Sequence, residues 1–253
     1  MNRPAGHRSG VREVVAYNWP LYTAGIAVAA GAGALHGALP PRLRPVARAA
    51  GAAAAGLLAS TTLATWLVYD RSGLYGFDWL DTLLPGAPAA HLVVGTGLDE
   101  ASVPLAARWP GSRQTTVDLY DPAVMTEGSV RRARRRVPPP AHALPGRAGA
   151  LPVPDASADA VLLFFAAHEL RCRAERGRLF GECARALRPG GSIVLVEHLR
   201  DPANTAVFGP GAWHFYPRRE WLRLADETGL RLAAERRIAG LVTAFSFTRG
   251  AGA

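Results

Sequence analysis

Hydrophobic and polar positions follow two different regimes along the chain. From Leu21 to Leu39 nineteen residues pass without a formal charge, His36 being the one group that titrates near neutrality, and from Ala49 to Tyr69 there are twenty-one more. In the second run the hydroxyls of Ser60, Thr61, Thr62, Thr65 and Tyr69 are the polar interruptions. Each run is long enough for a helix of about 20 residues that crosses a bilayer core. Tyr17, Trp19 and Tyr22 at the start of the first, and Trp66 and Tyr69 at the end of the second, stand where aromatic rings favour the membrane interface. A helical membrane hairpin is the expectation; a pair of buried core helices is the lesser reading.

After about residue 90 the regime changes to short apolar stretch, turn and amphipathic stretch, repeated, which predicts a parallel sheet covered by helices. Strands are expected over residues 91–94, 114–119, 160–165 and 192–198, with a feeble one over 148–151. Two late strands, 230–238 and 241–249, meet near Ala239-Gly240 as an antiparallel pair. Helices are expected over 99–109, 123–136, 173–187 and 219–228. Pro138-Pro139-Pro140 stops one of them, and Pro189-Gly190-Gly191 gives a stop and a tight turn after another. Residues 70–90, with Tyr75, Phe77, Trp79 and Leu80, read as an interfacial connector, and Pro85-Gly86-Ala87-Pro88 as a linker. The expected division is therefore a membrane-associated hairpin and connector over 1–89 and an α/β domain over 90–253.

Composition changes this picture in one respect. The net charge is +9, and all 29 basic residues are Arg. Anionic lipid is preferred over nucleic acid as the partner, because the Arg clusters flank apolar segments and no aromatic-interleaved basic stripe accompanies them. The run Arg131–Arg136 serves equally as a solvated helix end. Topology is balanced: Arg3, Arg8 and Arg12 precede the first apolar run, while Arg42, Arg44 and Arg48 lie between the two. A spanning hairpin with the large domain facing the cytoplasm is the leading form; a hairpin that enters the membrane without crossing it removes the conflict. Cys172 and Cys183 are eleven residues apart on one predicted helix, about 16 Å along its axis, too far for a disulfide.

Five segments in order, "HLVVGTG", "TTVDLYDP", "LPVPDASADAVLL", "RALRPGGSIVLVEHL" and the closing strand pair, resemble a class I S-adenosylmethionine-dependent methyltransferase of the small-molecule type. The resemblance covers roughly residues 90–250 and leaves the hairpin outside. It implies a Rossmann-like doubly wound sheet, mostly parallel with its last strand antiparallel, and S-adenosylmethionine bound outside the carboxyl ends of the strands. By resemblance, the loop Gly95-Thr96-Gly97 with Asp99 meets the cofactor, Asp118 accepts the ribose hydroxyls, and Ala148 and Leu151 pack on the adenine. Glycine suits the loop physically, since no Cβ obstructs a close approach. Three positions depart from the family pattern. Val93 replaces an acid, Asp99 a third glycine, and Arg147 an acid that contacts adenine, with Asp99 or Glu100 left to replace the first. Asp121-Pro122 is a helix N-cap with proline at the first helical position, a role that coexists with ribose binding by Asp118.

Two His-Glu pairs fall at strand exits, His168-Glu169 and Glu197-His198, and His214 lies in the long aromatic loop 198–221. Methyl transfer depends mostly on alignment, worth about 7 to 11 kcal/mol. His168 is the candidate base or acceptor-orienting group, with Glu197 or His198 as partner, and His214 completes the set. Helix starting for His168 and packing for His198 are the alternative roles. A metal centre of His168, Glu169, His198 and His214 is the lesser reading, lacking an i, i+4 His pair, and no metal is assigned. Phe208, Trp213, Phe215 and Tyr216 give the loop an apolar wall, and beside a hairpin this points to a small hydrophobic or lipid-like acceptor. The expected function is membrane-anchored methyl transfer. The rival is a non-catalytic binding or scaffold module of the same fold; a nicotinamide oxidoreductase is disfavoured by the incomplete glycine spacing.

Overall fold

The computed structural model describes residues 9–250; Arg3 and Arg8 lie outside the described residues. Two antiparallel helices come first, α1 (Gly10–Ala34) and α2 (Arg44–Thr65), the second running on through a π-helical turn at Trp66–Arg71. Asp70 caps α1 from a distance: its carboxylate oxygens accept the backbone N–H groups of Gly10 at 2.9 Å and Val11 at 3.0 Å, satisfying donors that every helix start leaves open. α1 bends at Asn18, two residues before Pro20, whose ring removes a backbone donor and crowds the preceding turn. One helix among the described residues, spanning Arg44–Gly76, is long and apolar enough to cross a membrane. Helix α1, which holds the first apolar run as far as Ala34, falls short of that standard.

A seven-stranded sheet follows in the order β3-β2-β1-β4-β5-β7-β6. Its strands are β1 (Ala90–Gly95), β2 (Arg113–Asp118), β3 (Leu144–Pro145), β4 (Ala158–Phe164), β5 (Leu187–His198), β6 (Leu230–Ile238) and β7 (Val242–Arg249). The first five pair in parallel, and β7 runs antiparallel to both β5 and β6. The helices are α3 (Ser102–Arg108), α4 (Gly128–Arg136), α5 (Arg173–Ala186), α6 (Pro202–Phe208) and α7 (Arg218–Glu227).

Period-2 alternation splits the strand residues between two cores. Val161, Leu163, Ile193, Leu195, Phe245 and Phe247 face one, with Phe180 of α5 and Trp221 of α7. Leu162, Phe164, Val194, Val196, Val242 and Ala244 face the other. Both faces being covered explains why the central strands are unbroken apolar runs. The second core corrects the sequence expectation for residues 70–90: Leu74, Tyr75, Phe77, Trp79, Leu80, Leu83 and Leu84 are buried against the sheet, not held at a membrane interface. Burial of each of the larger side chains contributes about 1.5–3 kcal/mol.

Three further expectations shift. The third strand is Leu144–Pro145, upstream of the predicted 148–151, because Gly146 lets the chain lie against Val117: a Cβ there would stand 2.6 Å from Val117 Cγ1. Pro189-Gly190-Gly191 does not form a separate turn between helix and strand; Leu187 already pairs with Ala158, and the glycines lie at an irregularity inside one long strand that starts at Leu187, with Gly190 at φ +80°. Finally, α3 begins at Ser102, after the turn held by Asp99, and α4 begins at Gly128, so Asp121-Pro122 is not its N-cap: the Asp121 carboxylate accepts the Ala123 N–H in a turn well upstream.

Candidate active site at the carboxyl ends of the strands

The glycine turn follows β1. Gly97 adopts φ +124°, and a Cβ on it would meet Val130 Cγ1 at 2.8 Å and Tyr120 Cδ2 at 3.0 Å, so both backbone and packing demand glycine. Thr96 is buried, its hydroxyl donating to the Ala166 carbonyl at 3.0 Å, which ties the β1 exit to the β4 exit. At that exit Phe165 takes φ +49°, a left-handed conformation that a bulky residue keeps only where its surroundings enforce it.

Asp99 is engaged within the protein. Its carboxylate accepts the backbone N–H groups of Ala101 at 3.0 Å and Ser102 at 2.9 Å, together with the Ser102 hydroxyl, and so caps α3. The acid left at this turn is Glu100, hydrogen-bonded to Tyr75. Burial, opposed by that bond and joined by the charges of Asp99 and Glu13, raises its pKa from 4.5 to about 7. Glu13 reaches the same place from α1 and is held by Arg136 at 3.0 Å. The chain thus brings an acid from α1 and a phenol from the 74–76 turn to the glycine loop, a convergence for which the sequence carries no local signal.

Asp118 ends β2 as expected. Its Oδ1 accepts the Tyr120 backbone N–H at 3.2 Å, and its Oδ2 is paired with Arg134 of α4 at 2.5 Å. The Arg134 guanidinium lies over the Tyr120 ring, 4.7 Å from its centre. Ala148 and Leu151 are buried in the first core with Leu119 and Met125, and the Leu151 N–H donates to Glu182. They lie in the core beneath the strand ends.

The structure brings His168, Glu197 and His214 together with Glu169. His168 Nδ1 meets Glu197 Oε2 at 2.6 Å, and the His168 backbone N–H donates to Glu197 Oε1 at 3.2 Å. On its other side His168 Nε2 is 3.3 Å from Glu169 Oε1, which is 3.8 Å from His214 Nε2. Burial alone would lower the His168 pKa, but the charge of Glu197 and the bonds to both carboxylates raise it to about 10. Burial would raise Glu169, yet hydrogen bonds from His168 and His214 hold it far below the ordinary range.

His198 stands apart from this group. Its Nε2 is 2.9 Å from the Tyr69 hydroxyl, and its Nδ1 lies 3.2 Å from Asn204 Oδ1 and 3.1 Å from the Leu241 carbonyl. The Nδ1–H tautomer satisfies all three contacts. Its ring is stacked between Phe165 and Phe215, and burial lowers its pKa to about 4. A neutral histidine here fastens α2, α6 and the 198–217 loop to one another.

Comparison with known proteins agrees with this geometry. The sequence profile of the family described as "Methyltransferase domain" matches residues 92–195. Among solved structures, an S-adenosylmethionine-dependent methyltransferase from Aquifex aeolicus is 19% identical, with a TM-score of 0.51, over 76% of this chain and 97% of its own. One from Methanosarcina mazei is 16% identical, with a TM-score of 0.50, over 68% of this chain and 97% of its own. Human N-acetylserotonin methyltransferase, solved with S-adenosylmethionine, is 18% identical, with a TM-score of 0.50, over 89% of this chain and 66% of its own. No curated protein matches by sequence. Strand order and the glycine turn at the β1 exit agree with these likenesses: the sheet and its helices have the fold of class I S-adenosylmethionine-dependent methyltransferases, and residues 92–195 resemble a methyltransferase domain.

Proposed function

We propose that this protein methylates a small hydrophobic or lipid-like acceptor at the cytoplasmic face of the cell membrane, where the α1–α2 hairpin holds it. The observation that carries this reading is the docking of the acceptor-side loop onto α2. The hydroxyls of Ser60 and Thr61 donate to the Val207 carbonyl at 2.8 and 3.2 Å, and Leu57 lies against Gly209. The wall of the active-site cleft and the apolar hairpin are thus one continuous surface. Trp19, Leu21, Val46, Leu63 and Trp66 expose large apolar area on that hairpin, and Trp213, 71% exposed, adds to it from the loop. An exposed apolar patch of this extent marks a membrane or partner surface. An open surface groove along α1 and α2, lined by Tyr22, Ile26, Leu58, Leu63 and Trp66 with Thr62 and Asp70, adds to this apolar face.

S-adenosylmethionine, when bound, supplies an electrophilic methyl group on a sulfonium. The residues fit it: the Gly95–Gly97 turn permits close backbone approach, Asp118 accepts hydroxyls once it exchanges Arg134, and Glu100 stands in for the acid missing at Val93. Phe165, Phe208 and Phe215 exclude water from the acceptor side. His168, fixed at Nδ1 by Glu197, turns its Nε2 edge toward Glu169 and His214 and helps to orient the acceptor. To test the reading, the full chain in lipid vesicles is given methyl-labelled cofactor and a total lipid extract. Label entering the organic phase supports it; label confined to water-soluble acceptors overturns it.

The Arg134–Asp118 pair favours a second reading, in which the domain keeps its fold as a binding module without cofactor. Saturable binding of S-adenosylhomocysteine by calorimetry eliminates that alternative.

A further inference from the structure

The cluster of His168, Glu169 and His214 has features that orienting an acceptor does not require. Three potential ligands from two separate turns place one donor atom each within 4.8 Å of one another. Around a tetrahedral dication with bonds of about 2.1 Å, neighbouring donor atoms stand roughly 3.4 Å apart. The Glu169 oxygen lies 3.3 Å from His168 Nε2 and 3.8 Å from His214 Nε2, close to that spacing before any ion draws them in. Behind the cluster, Glu197 takes the other nitrogen of His168 at 2.6 Å. That is the carboxylate–histidine relation which fixes the tautomer of a metal ligand and leaves Nε2 free to coordinate.

Three further observations agree. Glu169 Oε2 is a buried acceptor without a partner, an arrangement native structures seldom leave unexplained. Glu169 and Glu197 bring two carboxylates into a poorly solvated place; one imidazolium balances one of them, whereas a dication balances both. Lastly, the ligand-bearing turns are fixed to each other independently of any ion, because Arg171 donates to the His168 carbonyl at 3.2 Å and to the His214 carbonyl at 2.7 Å.

We infer that His168 Nε2, the Glu169 carboxylate and His214 Nε2 form a binding site for a first-row transition dication of the zinc type, with Glu197 as a positioning residue. Two imidazoles and a single carboxylate disfavour magnesium and calcium, which prefer all-oxygen sets. His214, the most exposed of the three, leaves the site open toward the acceptor side. The inference does not depend on methyl transfer, since metal affinity is read directly.

The test uses the purified full chain in detergent, stripped with a chelator and titrated with Co2+, whose visible absorption reports nitrogen and oxygen coordination. The expected result is one equivalent bound, displaced by Zn2+, and lost in Glu169→Gln and in His214→Ala. Glu197→Gln should weaken it by about 10- to 100-fold. His142→Ala, remote in sequence from the cluster, should bind as the parent does. Thermal melting confirms that His214→Ala, a change on a half-exposed loop, still folds, and binding of S-adenosylhomocysteine by the same variant separates loss of metal from loss of the cofactor site. A folded parent protein that takes up no Co2+, or equal Co2+ affinity in the parent, Glu169→Gln and His214→Ala, overturns the inference.

Discussion

Asp118 and Arg134 form a 2.5 Å ion pair at the exit of β2, with Arg134 also laid over Tyr120. The carboxylate expected to bind ribose is therefore already partnered within the protein. Hydrogen bonds to a charged group contribute about 1.5–3 kcal/mol, so Asp118→Ala should weaken S-adenosylhomocysteine binding roughly 10- to 100-fold. Arg134→Gln releases a competitor of small worth and should tighten binding by a few-fold, about 1 kcal/mol or less. Calorimetry of both variants decides the matter; an unchanged dissociation constant in Asp118→Ala removes the ribose assignment.

That pairing also shows what the sequence could and could not convey. Strands β1, β4, β5 and β7 were legible because both of their faces are buried, which leaves uninterrupted apolar runs whatever the tertiary detail. β3 was not, since two residues carry no periodicity and its pairing rests on Gly146 meeting Val117. The aromatic spacing of Tyr75, Phe77 and Trp79 suits a membrane interface and a protein core equally, and only packing against Phe164 and Val194 distinguishes them. In the site, His168, Glu197 and His214 could be placed because strand exits converge by topology. The contacts of Asp118 with Arg134 and of Glu13 with Arg136 could not, for they join residues whose meeting depends on how α1 and α4 dock.

Those packed aromatics make a stability prediction. Leu80 is fully buried under the second face of the sheet, and Leu80→Ala should cost about 2–5 kcal/mol, read as a lowered denaturation midpoint. A chain beginning at residue 90 loses Leu74, Phe77, Trp79 and Leu80 together and should be recovered only as aggregate. A soluble, cooperatively melting product of that truncation would contradict the role assigned to these residues.

Glu100 gives a pH dependence with a definite sign. Its pKa is raised from 4.5 to about 7, so it is neutral below that value and ionised above it. The cofactor's cationic methionyl end favours the ionised form, so binding releases a proton and affinity should rise from about pH 6 to about pH 8. The stability sign is opposite: as a raised acid, Glu100 contributes most below its unfolded value, and the contribution is lost as pH rises through about 7. Glu100→Gln should flatten the binding profile. A flat profile in the parent protein would remove Glu100 from the cofactor's surroundings.

Helix length bears on how the hairpin would sit in the proposed membrane association. From Leu57 onward α2 is engaged by the 198–217 loop and the sheet, which leaves the stretch from Arg44 to Gly56 outside those contacts. At about 1.5 Å per residue that stretch measures roughly 20 Å, short of the about 30 Å of a hydrocarbon core. Arg42, Arg44 and Arg48 at the hairpin tip also require a headgroup layer. A hairpin lying along one interface would meet both conditions, and it would place the tip on the same side as the α/β domain. Gly37 near the tip has open space around its Cβ position, and Cys172 is the one exposed thiol among the described residues. In sealed inside-out vesicles, with Cys172 replaced by Ser, a Gly37→Cys variant should therefore react with a membrane-impermeant maleimide added outside. Reaction only after the vesicles are opened by detergent would establish a crossing hairpin instead, with its arginines on the far side.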